Sequence, residues 1–338
     1  MNKVRSIGVL IGWLFVSIWG CQPVQDQETT LSTETADSLK RAYEAVSLLG
    51  DTLYAMDLPS TVKAQYDSAL QEAERMYRQH PDELDNIVWW GRRLGYVSRY
   101  REAIDVFTKG LKKFPQSAEL YRHRGHRYIT TRQFEKAIQD FKQSAKLLQN
   151  QPIRMEPDGV PIPLPANHQP TSLQFNVYYH LGLAYFLTGQ YGKAAEAYET
   201  CLTYCDTDDE TVAAADWLYM TYRRLGEDEV AERTLATIRE DMQVQQNEGY
   251  LEHLLMYKGN IEPEALLTSA ASSEKTDHSS AEQALRLATT GYGVGNYYLS
   301  EGDSLLGEEI FQDIVDGRHW AAFGYIAAEA DLARQREP

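Results

Sequence analysis

What the sequence lacks narrows its function first. Basic charge is in deficit: 33 Lys and Arg stand against 49 Asp and Glu in 338 residues, a formal charge of −16. General nucleic-acid binding needs a basic face, so that class is set aside. With 12 prolines and 22 glycines the chain is neither collagen-like nor largely disordered. There is no Walker loop, nucleophile elbow, zinc-binding helix motif or paired-glycine dinucleotide fingerprint. Nothing therefore points to an enzyme, a cofactor or a metal. Long apolar runs are absent too, apart from one at the extreme N-terminus.

That run, Ile7 to Ile18, follows Lys3 and Arg5 and is short for a bilayer span. Ile18-Trp19-Gly20-Cys21 then resembles a bacterial lipobox, although Trp19 departs from the small residue usual at its place. The resemblance implies a signal peptide over 1–20 and lipidation at Cys21. Two acyl chains and an N-acyl group anchor a protein stably. Residues 21–36 are polar and free of aromatics, a flexible tether. The address implied is the cell envelope, with the outer membrane favoured by Gln22 after the cysteine and the body facing the periplasm or the surface. An uncleaved N-terminal helix with an incidental cysteine is the other reading.

The body repeats itself. Pro81 returns as Pro115, Gly91 as Gly125, Tyr100 as Phe134 and Phe107 as Phe141, each 34 residues on, and Ala69, Ala103 and Ala137 form a series. Gly125, Tyr128, Phe134, Ala137 and Phe141 return together as Gly182, Tyr185, Tyr191, Ala194 and Tyr198. A period of this length marks a stack of helical hairpins that bury one continuous core. The pattern resembles the tetratricopeptide repeat family, clearest over residues 84–117, 118–151, 175–208 and 212–245. The resemblance covers about four-fifths of the chain and implies an all-α fold, an α-α superhelix or solenoid. The array is expected over 37–270, followed by a linker over 271–280 and a degenerate C-terminal repeat with a capping helix over 281–338. The glycines let the two helices of a pair approach, with Tyr100, Phe134 and Tyr191 expected to plug the gap.

Residues 151–172 interrupt the period and hold six prolines, which exclude a helix. They read either as a tolerated surface insertion or as a strap folded over the concave groove. Charge is also segregated, with eleven Lys and Arg against three acids between Arg92 and Arg132. In this family positions 2, 5, 9 and 12 of the first helix face the groove. The resemblance so places Arg92, Arg122, His126, Asn176 and Tyr179 on its wall. Arg92, Arg122 and His126 would form a cationic patch for an acidic segment or a carboxylate; the alternative is a basic band paired with acids in the stack. Arg124, at a position normally apolar, needs a partner. His123 and His126 share a face but have no third ligand in register, and Cys201 and Cys205 read as packed thiols or a disulfide. The acids at 206–210 read as helix-capping groups.

The expectation is a membrane-anchored, non-enzymatic scaffold whose groove binds a protein or peptide segment. Two alternatives stand: an outer-membrane assembly factor of the barrel-assembly lipoprotein type, and a carbohydrate- or small-ligand-binding uptake lipoprotein.

Overall fold

Each hairpin of the chain is closed by one residue with left-handed backbone. In the computed structural model these are Ser98, Arg132, Gly189, Gly226, Gly259 and Gly302, with φ between 59° and 91°. Glycine takes this conformation without cost, while Ser98 and Arg132 must be held in it by their surroundings. The structure describes residues 43–157, 161, 169–271, 280–317 and 319–336. Cys21, the signal peptide, the tether and most of the linker expected over 271–280 lie outside them. The described residues belong to one unit, Arg41–Pro338.

A single helix, α1 (Ser60–Gln79), leads into the pairs α2 (Leu84–Tyr96) with α3 (Tyr100–Lys113), and α4 (Ala118–Thr130) with α5 (Phe134–Leu148). Next come α6 (Leu173–Leu187) with α7 (Tyr191–Leu202), and α8 (Asp208–Leu225) with α9 (Asp228–Leu235). The last pairs are α10 (Glu248–Tyr257) with α11 (Pro263–Ala271), and α12 (Ser280–Ser300) with α13 (Ser304–Val315), before a closing helix α14 (Phe323–Arg336). Successive helices pack on one another from α1 to α9 and from α11 to α14, while α10 packs on α8 and α12.

Pairing depends on a notch. A Cβ placed on Gly91, Gly125, Gly182 or Gly295 would fall 2.3, 2.9, 2.8 or 2.4 Å from the ring of Phe107, Phe141, Tyr198 or Phe311. In every case the ring lies 16 residues on, in the second helix of the pair. The plug is therefore this ring, not Tyr100, Phe134 or Tyr191. Those three open their helices instead, where Tyr100 meets Trp320 edge-on and Tyr191 meets Phe186. Arg124 finds the partner its position requires, a two-pronged pair with Asp140 at 2.7 Å on both arms, plus Thr108 Oγ1. Thr207 and Glu210 form a reciprocal capping box at the start of α8. Both Cys201 and Cys205 are free thiols.

Two features depart from a plain array. Residues read as the start of the helical body form an antiparallel β-hairpin, β1 (Tyr43–Val46) with β2 (Thr52–Tyr54). The turn needs Gly50 at φ 101°, and Ala45 and Leu53 are buried beneath it. Moreover, α14 does more than stack as a next layer. It packs on α12 and α13 and also runs against α6, past the C-terminal ends of earlier first helices. Arg334 donates to Leu187 O at the end of α6, and Asp331 pairs with Arg224 near the end of α8. Glu329, fully enclosed, pairs with Arg132 at 2.7 Å and accepts from Leu48 N of the hairpin. Trp320 donates to Tyr54 O, so the two ends of the described chain meet here.

Candidate functional site

The first helices of three consecutive pairs present the site. Residues three and four apart share one face of a helix, which puts Arg122, His123, His126 and Arg127 of α4 beside Arg92 and Tyr96 of α2, and Asn176, Tyr179 and His180 of α6 beyond them. A further group comes from the proline-rich interruption. Its two described arms, 151–157 and 169–172, pair through a bridge at Met155 and Ser172. Glu156 N donates to Thr171 O, Leu173 N to Arg154 O, and the buried Gln174 side chain ties Arg154 N to Pro152 O.

This arm carries Glu156 into the cationic patch. Its carboxylate lies 3.1 Å from Arg122 Nε, 3.5 Å from His123 Nε2 and 4.0 Å from an Arg92 guanidinium nitrogen. Asn176 Nδ2 donates to it at 3.1 Å, and Arg92 donates to the next carbonyl, Pro157 O, at 2.8 Å. The acid that the sequence pattern invited at Arg92, Arg122 and Asn176 is thus supplied by the chain itself. His126 does not join this cluster of hydrogen bonds: its ring lies against His180 at 4.5 Å and Phe323 at 5.4 Å. Tyr179 is also turned to other work, its hydroxyl donating to Tyr250 and accepting from Trp217 Nε1.

Burial governs the protonation states. His123, His126 and His180 are held well below the usual imidazole range by burial, reinforced by the nearby guanidinium groups of Arg122 and Arg127. They are neutral at pH 7. Burial lowers Arg122, which Glu156 partly offsets, and brings Arg127 down to about 10. Among the described residues no group of three or more His, Cys, Asp or Glu is arranged to hold a metal ion.

Two cavities flank the strap. The smaller, of about 110 Å³, lies between α2 and α4 and is lined by Arg92, Arg122, His126, Arg127 and Glu156 among others. The larger, of about 570 Å³, is open and is reached by Asn176 and Tyr179. Its walls are aromatic (Phe175, Tyr179, Tyr250, Phe323), and its rim carries Asp206 and the amides Gln169 and Gln245. Sequence reasoning missed Glu156, Arg127, His180 and Phe323. Glu156 had a signal, being an acid on a segment too proline-rich to be helical. Phe323 had none, since only tertiary folding brings α14 back to α4 and α6.

Residues 175–208 match the family model of the tetratricopeptide repeat. Over 87 residues the chain is 38% identical to tetratricopeptide repeat protein 13 of Homo sapiens, 26% of this chain and 10% of that protein. The chain thus spans about a tenth of the length of the curated relative it matches. Among solved structures it is similar to a tetratricopeptide repeat protein from Parabacteroides merdae (14% identity, TM-score 0.44, 81% of this chain and 97% of that one). It is also similar to YrrB, described as a TPR protein with an unusual peptide-binding site (12%, 0.41, 79% and 100%), and to MamA (17%, 0.40, 60% and 89%). The match over 175–208 falls on the pair whose glycine-to-ring notch recurs in three others, so these residues carry the tetratricopeptide repeat pattern.

Proposed function

We propose that the protein is a lipid-anchored, non-enzymatic scaffold of the cell envelope, attached through Cys21 and gripping an extended segment of a protein partner on its inner wall. A stack of tetratricopeptide hairpins is suited to protein–protein interaction, and the proposal adds the anchor and the mode of binding. The observation that carries it is the strap. Residues 151–157 lie as non-helical chain on the first helices, gripped by side chain and carbonyl through Arg92, Arg122 and Asn176. A wall that holds its own chain in this way has the donors to hold another. The Arg92 and Arg122 positions are taken in cis, so the partner segment enters the open cavity beside Asn176 and Tyr179. The acidic character expected of the partner loses its motive there, because the rim already carries acid.

The test is photo-crosslinking in cells from position 245, at the rim, against position 109 on the exposed side of α3, with mass spectrometry of the adducts. A partner peptide captured from 245 and not from 109 is the expected result. The same adducts from both positions would end the reading. Labelling with an alkyne fatty acid is expected to mark Cys21 and to vanish in Cys21→Ser.

A further inference from the structure

Helix α7 ends on two thiols that the site described above does not use. Cys201 lies in its last turn, and Cys205 follows four residues on, just past the helix. The turn between them is tight: Tyr204 N donates to Cys201 O at 2.9 Å and Cys205 N to Leu202 O at 3.3 Å. The Tyr204 ring stacks on Tyr178 of α6 at 5.7 Å, which pins this turn against the first helix of the pair. Cys205 is thereby folded back over the helix end, where its S–H donates to Cys201 O at 3.6 Å. Cys201 is fully buried and donates to Phe175 O, also at 3.6 Å.

The two thiols differ in what can reach them. Burial, reinforced by the neighbouring Cys205 thiol, holds Cys201 well above the usual thiol range, so Cys201 is not the first to react. Cys205 is only partly buried and can meet a reagent from solvent. Residues four apart on a helix have Cβ atoms about 5–6 Å apart, and a disulfide needs about 3.5–4.5 Å. A bond between these two is within reach once the turn over 203–205 moves inward. A disulfide closed under that strain is easily reduced again.

We propose that Cys201 and Cys205 form a reversible dithiol–disulfide pair, oxidised by exchange with the disulfide of a small molecule or another protein. The Cys205 thiolate attacks one sulfur of the donor disulfide, and the other donor sulfur leaves as a thiolate. Cys201 then gives its proton to water and attacks the Cys205 sulfur, and the second donor thiolate leaves. Two electrons pass from the pair to the donor, and the two protons lost by the pair match the two donor thiolates released.

The bond acts on what lies next to it. Asp206 follows Cys205 directly, and the N–H groups of Asp206 and Thr207 donate to the Glu210 carboxylate at 2.9 and 3.2 Å where α8 begins. Oxidation also removes the S–H donated to Phe175 O. Phe175, Asp206 and Thr207 all line the larger cavity, so closing the bond reshapes that cavity from behind. The bond itself needs no partner; its bearing on a bound segment rests on the function proposed above.

The full chain, reduced and freed of reductant, is incubated with glutathione disulfide at about pH 8, near the ordinary thiol range. Remaining thiols are blocked with iodoacetamide before digestion with trypsin, which leaves both cysteines in the peptide 194–223. That peptide is expected to lose the mass of two hydrogens and to regain it with dithiothreitol. In the oxidised chain the amides of Asp206 and Thr207 should exchange roughly tenfold faster, as their cap loosens. Cys205→Ser should leave Cys201 unmodified in the folded chain, and Cys201→Ser should stop at a glutathione adduct on Cys205. An unaltered chain that also stops at that adduct, or that stays fully reduced, overturns the pair. A closed disulfide with unchanged exchange at Asp206 and Thr207 overturns its hold on the cavity. Crosslinking from position 245 enters none of these readings, so the thiol pair and the partner segment can fail separately.

Discussion

At the scale of single residues, the notch glycines are where the fold is least tolerant. Gly125 faces the Phe141 ring, and a methyl group there meets three ring carbons at 2.9 to 3.2 Å. Phe141 is fully buried and has nowhere to move. Overpacking of this kind costs about 1–3 kcal/mol, and Gly125→Ala should lower the urea midpoint accordingly without changing the slope. The three imidazoles held low on folding, His123, His126 and His180, set a pH dependence. A histidine whose pKa is depressed on folding binds fewer protons in the folded than in the unfolded chain, so stability is full above the ordinary value near 6.5 and is lost as pH falls below it. Each group can contribute a slope of up to about 1.4 kcal/mol per pH unit. Carboxylates such as Asp140, raised by burial, act in the opposite sense at lower pH. Thermal unfolding between pH 7 and 5.5 should therefore show a falling melting temperature, and His126→Gln should flatten that fall. An unchanged slope in the variant would mean that His126 is protonated in the folded protein.

At the scale of elements, the strap and α14 are held by charge in enclosed places. Removing one partner of a buried ion pair costs about 3–5 kcal/mol, because the other is left uncompensated, whereas replacing both by apolar groups is often neutral. Arg132 and Glu329 have side chains only 3% and 0% exposed. Arg132→Met should cost in that range, Arg132→Met with Glu329→Leu much less, and the difference is read as a coupling energy in a double-mutant cycle. For the strap, Glu156→Gln should speed hydrogen exchange at the Glu156 and Leu173 amides, which bond to Thr171 O and Arg154 O, while leaving the α6 interior protected. How far these elements were legible differs. The hairpin stack was plain because one glycine and one ring, 16 residues apart, act locally and repeat. The strap was legible as non-helical from its prolines, but not that its Glu156 would answer Arg122, since no period links them. The β-hairpin and the return of α14 were invisible, because the contacts that create them join residues some 200 to 280 positions apart, as in Leu48 with Glu329 and Arg132 with Glu329.

At the scale of the whole molecule, the array does not end in an open spiral. Its final helix folds back against the helices that form the inner wall, and meets the N-terminal hairpin at Glu329 and Trp320. The arm that carries Glu156 lies on a second part of the same wall. Among the described residues the cavity beside Tyr179 stays open, and the surface offered to a partner is smaller than the repeat count suggests. Hydrogen exchange of the full chain, followed by mass spectrometry, tests this most directly. If α14 closes the array, its amides from Ile326 to Leu332, almost all in buried residues, exchange only with global unfolding, as slowly as those of α6. Exchange of that segment within seconds, as in a frayed terminal helix, would contradict it.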